Sequence, residues 1–214
     1  GEPVRVFEAS SDFAEAQWLL EEVQALHRSG LARSEIALLY RSNAQSRVLE
    51  SALFNAGIPY RVYGGLRFFE RQEIKDALAY LRLLSNRDDD ASFERVVNLP
   101  TRGIGARTLE VLRAHSREHV KSMWAAAFEC NEDLGTKAVS SLQAFLTLIE
   151  KLDAETQGLP LHEQVDHVIQ ASGLVAHYQK DKADKGEARL ENLEELVSAA
   201  RGFEPEDTDM PPLM

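Results

Sequence analysis

Apolar residues change their spacing along the chain, and those changes mark its elements. Residues 3–8 alternate weakly, and residues 35–40 form a short apolar run bounded by polar positions; both patterns predict strands. Between them Ser11-Asp12 is a predicted N-cap for a helix reaching about Arg28. That helix puts Ala14, Trp18, Leu19, Val23 and Leu26 on one face and stops at Gly30. A helix over 44–55, closed by Gly57, and a third extended segment at 58–63 follow. Strand, helix, strand, helix, strand is the signature of right-handed crossovers in a parallel sheet. Three strands are too few for a complete doubly wound domain, so the first 64 residues predict an α/β fragment, three parallel strands with crossover helices.

After Gly64-Gly65 the period becomes helical almost throughout. Residues 70–84 place Ile74, Ala77, Leu78, Leu81 and Leu84 on one side, and further helices are predicted at 91–97, 106–118, 120–129, 136–156, 161–171 and 187–201. The second region is therefore expected to be all-α, and the chain mainly helical overall. Lys180 to Gly186 reads as a solvated loop. Glu204 to Met214, with three prolines and four acids, reads as a linker.

Composition excludes several classes. Hydrophobic residues at 44% and charged residues at 28% of 214 suit a globular chain and not a disordered or fibrous one. The single cysteine, Cys130, has no internal partner, which predicts a reducing, cytoplasmic setting. No apolar run has the roughly 20 residues of a membrane span, and the N-terminus lacks a signal-peptide pattern. Gly1 at the start and Met210-Pro211-Pro212-Leu213-Met214 at the end read as cuts inside a longer protein.

The net charge of −11 is unevenly spread. Residues 1–60 carry 5 Lys/Arg against 8 Asp/Glu, residues 61–121 carry 12 against 9, and residues 122–214 carry 7 against 18. Ten of the twelve cations in the middle stretch are arginine, whose forked donors suit phosphate, so a local basic surface can bind DNA although the whole chain is acidic.

Self-contained catalysis is not expected. The phosphate loop Gly-x-x-x-x-Gly-Lys-[Ser/Thr] does not occur in the sequence, and no Cys/His group has metal-ligand spacing. The six histidines are scattered; His115, His119 and His162 fit solvated helix faces. Tyr40 to Arg47 lies where a predicted strand ends and a helix begins, the edge at which ligands bind in open α/β sheets. Arg41, Arg47 and Asn43 there would suit a phosphate backbone; equally, Ser42 or Asn43 caps the helix and Arg47 is solvated. On the 70–84 helix Arg71, Lys75 and Arg82 form one basic stripe, and Phe68-Phe69 reads as core at its start.

Two further segments stand out. In Thr101-Arg102-Gly103-Ile104-Gly105-Ala106-Arg107-Thr108, two glycines around an aliphatic residue between helices allow a hairpin whose amides face a phosphate while Ile104 plugs the core. That is the logic of a helix-hairpin-helix, which holds duplex DNA without reading sequence. Asp88-Asp89-Asp90 sits between two helices; Asp89 and Asp90 are either a capped loop or a regulatory repulsion beside phosphate.

Tyr40 to Arg47, Tyr63 to Asp76, and Thr101 to Gly105, in this order and spacing, resemble the UvrD/Rep/PcrA-type superfamily one DNA helicases, with the UvrD branch nearest. The likeness runs on through Glu191-Asn192-Leu193-Glu194-Glu195-Leu196. It implies that 1–64 is a partial RecA-like motor domain 2A, 65–202 the helical 2B duplex-binding domain with its helix-hairpin-helix, and 203–214 an acidic, Pro-containing linker. It implies single-stranded DNA contacts at Arg41 and Asn43. It also implies duplex contacts at Lys75, Arg82, Thr101, Arg102, Gly103, Ile104, Gly105, Arg107 and Thr108.

The implied parent is an ATP-dependent 3′–5′ helicase of repair and replication that uses ATP and Mg²⁺. This segment lacks the phosphate loop, the acidic Mg²⁺ motif and the later arginine motif, so it is expected to hold no cofactor or metal and to have no catalysis of its own. The implied partners are DNA, the remaining helicase domains and repair proteins, with no membrane. The competing expectation is an interaction module that binds proteins through the acidic 122–214 half.

Overall fold

A computed structural model describes residues 3–41, 45–62, 67–130, 133–181 and 183–203. The chain divides into two units, the first ending at Arg71 and the second beginning at Gln72.

In the first unit α1 (Asp12–Arg28) starts where Ser11 Oγ accepts the Ala14 N–H at 3.1 Å, the predicted cap. A 3-10 turn (Arg33–Glu35), α2 (Ser46–Asn55) and a second 3-10 turn (Phe68–Glu70) complete it. Val23, Leu53 and Ile58 form its core, with Leu20, Ile36, Leu38 and Tyr60 half-buried around them. Glu50 on α2 accepts the Phe68 N–H and the Tyr60 hydroxyl, each at 3.3 Å.

The expected three-stranded α/β fragment is not found: among the described residues there is no strand. A strand is completed by hydrogen bonds from a neighbour, whereas alternation in sequence records only which side is buried. Ile36 and Leu38 lie against the small core while Leu39 is 95% exposed, so period-two burial is met by an extended segment resting on the core without a ladder. Val4 and Val6 are both 92% exposed and alternate against nothing.

The second unit is a helical assembly of α3 (Gln72–Ser85), α4 (Asp90–Val96), α5 (Ala106–His119), α6 (Met123–Glu129), α7 (Thr136–Thr156), α8 (Leu161–Ala171), α9 (Leu174–Tyr178) and α10 (Ala183–Arg201). Helix α3 is buried on most sides and packs against α4, α7, α8 and α10. Phe93 of α4 meets Phe145 of α7 edge to face at 5.6 Å, and Leu112, Met123, Leu142 and Ile149 are fully buried in the same unit.

A polar network runs through this core. Asp76 is 2% exposed; its Oδ1 accepts Arg95 Nε at 2.6 Å and its Oδ2 accepts the buried Tyr178 hydroxyl. One turn earlier Glu73 accepts Asn192 Nδ2 at 2.6 Å, and Arg189 lies over the Tyr178 ring while donating to Asp181 at 2.7 Å. Helices α3, α4, α9 and α10 are thereby tied together by charge-assisted bonds.

Two departures from the sequence pattern have local causes. The predicted loop at 180–186 is helical from Ala183 onward. A Cβ on Gly186 would lie 2.8 Å from the Tyr178 carbonyl oxygen, so the glycine serves close approach of α10 to α9 and does not break the helix. Val120, which ends α5, has φ 51° and ψ 51° and is 91% exposed. A left-handed valine costs roughly 1–2 kcal/mol, and glycine's extra chain entropy returns only part of that. Val120→Gly is therefore expected to stabilise the protein by about 0.5–1 kcal/mol, read as an increased urea midpoint; an unchanged or lowered midpoint would contradict the strain.

Candidate nucleic-acid interface

Between α4 and α5 the chain makes a hairpin held from inside. Asn98 Oδ1 accepts the N–H groups of Arg102 at 2.7 Å and Ile104 at 3.2 Å. The Arg102 guanidinium donates to the carbonyls of Val96 and Pro100, both at 3.1 Å, to the Tyr80 hydroxyl at 2.6 Å and to the Ser172 carbonyl at 3.0 Å. It also lies against the Tyr80 and Phe145 rings, 5.8 and 5.4 Å from their centroids. Tyr80 donates to the Leu99 carbonyl at 2.5 Å, and burial pushes its hydroxyl pKa up to about 12 against the opposing pull of Arg102. Ile104 is 1% exposed and plugs the core as its position predicts.

The outer side of the same hairpin is open. Thr101, Gly103, Gly105 and Arg107 are exposed, while Thr108 is buried at the start of α5. Gly103 has φ +81°, a left-handed angle that other residues adopt at a cost. Gly105, at φ −90° with nothing within 4 Å of a built Cβ, needs no special angle, so only one of the two glycines is conformationally demanded. Gly105 caps α5 without a side chain, and the amides of Gly103, Gly105 and the first turn of α5 have no acceptor among the described residues.

On α3 the exposed cations are Lys75 and Arg82, two turns apart on one face. Arg71 does not join them. It is 7% exposed, donates to Ser46 Oγ at 2.6 Å and lies 5.3 Å over the Phe68 ring in the first unit. Phe68 is fully buried and Phe69 is 53% exposed. Tyr80, which bonds the hairpin, sits about 140° around α3 from Lys75, so the stripe and the hairpin leave α3 on different sides. The residues thus fall into two patches.

Two carboxylates of the acidic triplet, Asp89 and Asp90, are engaged in folding. Asp89 caps α4, with Oδ1 accepting the Ser92 N–H at 3.0 Å and Oδ2 the Ser92 hydroxyl at 2.6 Å. Those hydrogen bonds hold its carboxyl below the usual carboxylate value, with nearby Arg82 adding to the effect. Asp90 Oδ1 accepts the Met123 N–H at 2.7 Å, where α6 begins. Arg113 forms a two-point pair with Glu94 at 2.5 and 2.8 Å, and the hydrogen bond lowers the Glu94 pKa.

In the first unit Arg41 is exposed, and its backbone N–H donates to Gln45 Oε1 at 2.9 Å. Asn43 and Ser42 lie outside the described residues. His115 contacts Glu129 at 3.3 Å and stacks on His119, and no group of three or more His, Cys, Asp or Glu fit to hold a metal occurs among the described residues. No described helix is long and apolar enough to cross a membrane. Sequence reading missed Asn98 and Tyr80; an asparagine leading into a Leu-Pro-Thr-Arg-Gly turn is a residue type that bonds nearby backbone, and that signal was available.

A family model described as UvrD-like helicase C-terminal domain matches residues 1–212. The chain is 53% identical over 217 residues to DNA helicase II of Escherichia coli (strain K12), covering 100% of this chain and 30% of that protein. It is 51% identical over 205 residues to DNA helicase II of Haemophilus influenzae, covering 95% of the chain and 28% of that protein. With the ATP-dependent DNA helicase PcrA of Staphylococcus aureus (strain Mu50) the identity is 36% over 205 residues, again 95% of this chain and 28% of the other. The chain thus spans about 30% of the length of the curated relatives it matches.

Proposed function

Since the chain belongs to the UvrD-like helicase C-terminal domain family, we propose that it is the DNA-handling segment of an ATP-dependent 3′–5′ DNA helicase of repair and replication. In this reading residues 1–64 belong to the second motor domain, residues 65–202 are the helical 2B domain, and 203–214 link onward. The second unit grips duplex DNA through phosphate contacts, and Arg41 with Asn43 lines part of the single-strand track. The observation that carries the duplex role is a hairpin held rigid from inside whose glycine amides are open outside, together with the exposed Lys75 and Arg82. Thr101 and Arg107 flank the open side. Arg102, Ile104 and Thr108 support it from beneath.

ATP and Mg²⁺ are assigned to the rest of the parent. The phosphate-loop sequence Gly-x-x-x-x-Gly-Lys-[Ser/Thr] does not occur in these 214 residues. Repair proteins and the remaining helicase domains are the further partners of this reading.

The test is fluorescence anisotropy of the 214-residue chain with two duplexes of unrelated sequence. Wild-type binding is expected in the micromolar range or weaker, falling by roughly 0.9 log units per log unit of salt for each phosphate neutralised. Lys75→Ala should weaken both duplexes alike and reduce that slope by about one phosphate. Gly105→Val, which has room and a permitted φ, should stay folded by circular dichroism and still weaken both by obstructing amide approach. Loss on one sequence only would mean base readout. No duplex binding at low salt would overturn the reading in favour of a protein-interaction module working through the acidic 122–214 half.

A further inference from the structure

Between Arg102 and Gly105, two backbone donors are spoken for and two are not. The Asn98 side-chain carbonyl takes the N–H groups of Arg102 and Ile104, which alternate with those of Gly103 and Gly105. Gly103 and Gly105 are exposed and have no acceptor among the described residues. One oxygen holding alternate amides of a five-residue turn separates its N–H groups into an inner and an outer set. Arg102 then holds the same turn by its side chain, bonding carbonyls at the end of α4, at Pro100 and at the end of α8.

We propose that Asn98 is a positioning residue for duplex binding: by taking the Arg102 and Ile104 amides it leaves the Gly103 and Gly105 amides as the pair that meets a DNA phosphate. Asn98 touches no DNA in this arrangement. It acts through the turn, preorganising two neutral donors so that little ordering remains when the phosphate arrives. The inference rests on the duplex-binding reading above.

A double-mutant cycle separates this from a merely structural role. Asn98→Ala, confirmed folded by circular dichroism, should bind duplex roughly tenfold more weakly, the size of one lost hydrogen bond to a charged group. It should add little further loss on a Gly105→Val background, because both changes remove the same contact, and should add in full to Lys75→Ala, which lies on another face of α3. An Asn98→Ala protein that binds as wild type, or whose loss adds in full to Gly105→Val, would overturn the proposal. Should Asn98→Ala fail to fold, amide hydrogen exchange on the wild-type chain still decides. The Arg102 and Ile104 amides should be protected without DNA, and those of Gly103 and Gly105 should gain protection only when duplex is added. Gly103 and Gly105 amides indifferent to bound duplex would overturn it. Failure of wild type to bind any duplex defeats the functional reading itself, whereas normal binding sensitive to Lys75→Ala but not to Asn98→Ala defeats only the role of Asn98.

Discussion

Asp76→Ala is expected to destabilise the helical unit by about 3 kcal/mol, the lower end of what breaking a buried ion pair costs. The carboxylate is 2% exposed and serves two donors, Arg95 Nε and the Tyr178 hydroxyl. Removing it strands them unequally. The Arg95 side chain is 36% exposed and can regain water, but the Tyr178 ring and hydroxyl are fully buried and would lose their acceptor, at roughly 1–3 kcal/mol. Burial, with the hydrogen bond to Asp76 and its charge, already pushes the Tyr178 pKa upward, so ionisation offers no relief. Urea unfolding followed by far-UV circular dichroism would show a lowered midpoint at an unchanged m-value. A loss below about 1 kcal/mol would mean that the network joining α3, α4 and α9 is ornamental to stability.

The helical unit was legible because its pattern is local. Ile74, Ala77, Leu81 and Leu84 are buried and Leu78 is half-buried on the face that the 3.6 period predicts, and Lys75 and Arg82 are exposed on the stripe beside it. The strands were not legible as strands, since pairing depends on residues elsewhere: Ile36 and Leu38 find a core but no ladder. The short α9 carries too few turns to show a period, and Gly186 looked like a breaker although its role is clearance for α10.

At the candidate site the sequence identified the turn but not the destination of each charge. Arg71, Lys75 and Arg82 share a stripe on a helical wheel, yet Arg71 precedes α3 and turns into the first unit's core. Asp89 and Asp90 admitted a cap or a repulsive role, and the bonds to Ser92 and Met123 account for both carboxylates as fold contacts. Charge type alone cannot distinguish a phosphate ligand from an internal clamp. What distinguishes them is whether carbonyls converge on the guanidinium, and that convergence at Arg102 joins segments 70 residues apart in the sequence.

Arg102→Ala therefore should act on folding before it acts on DNA. The guanidinium serves the carbonyls of Val96, Pro100 and Ser172 and the Tyr80 hydroxyl, and it covers the Phe145 ring. Hydrogen bonds from a charged donor contribute about 1.5–3 kcal/mol each when measured singly, but these share one side chain that keeps partial contact with water, so their sum is far from additive. A loss of roughly 2–4 kcal/mol is expected, with Tyr80 left bonding only the hairpin carbonyls. Arg102→Lys should recover little of it, because one ammonium cannot reach acceptors spread around a planar fork. Arg107→Ala, at an exposed position on the open side of the same turn, should change stability by less than about 0.5 kcal/mol while weakening duplex binding. Paired urea titrations and anisotropy measurements on the two alanine variants separate the roles. If Arg102→Ala left stability within that same half kilocalorie and lost duplex affinity as Arg107→Ala does, Arg102 would be a DNA ligand and its inward bonds would be dispensable.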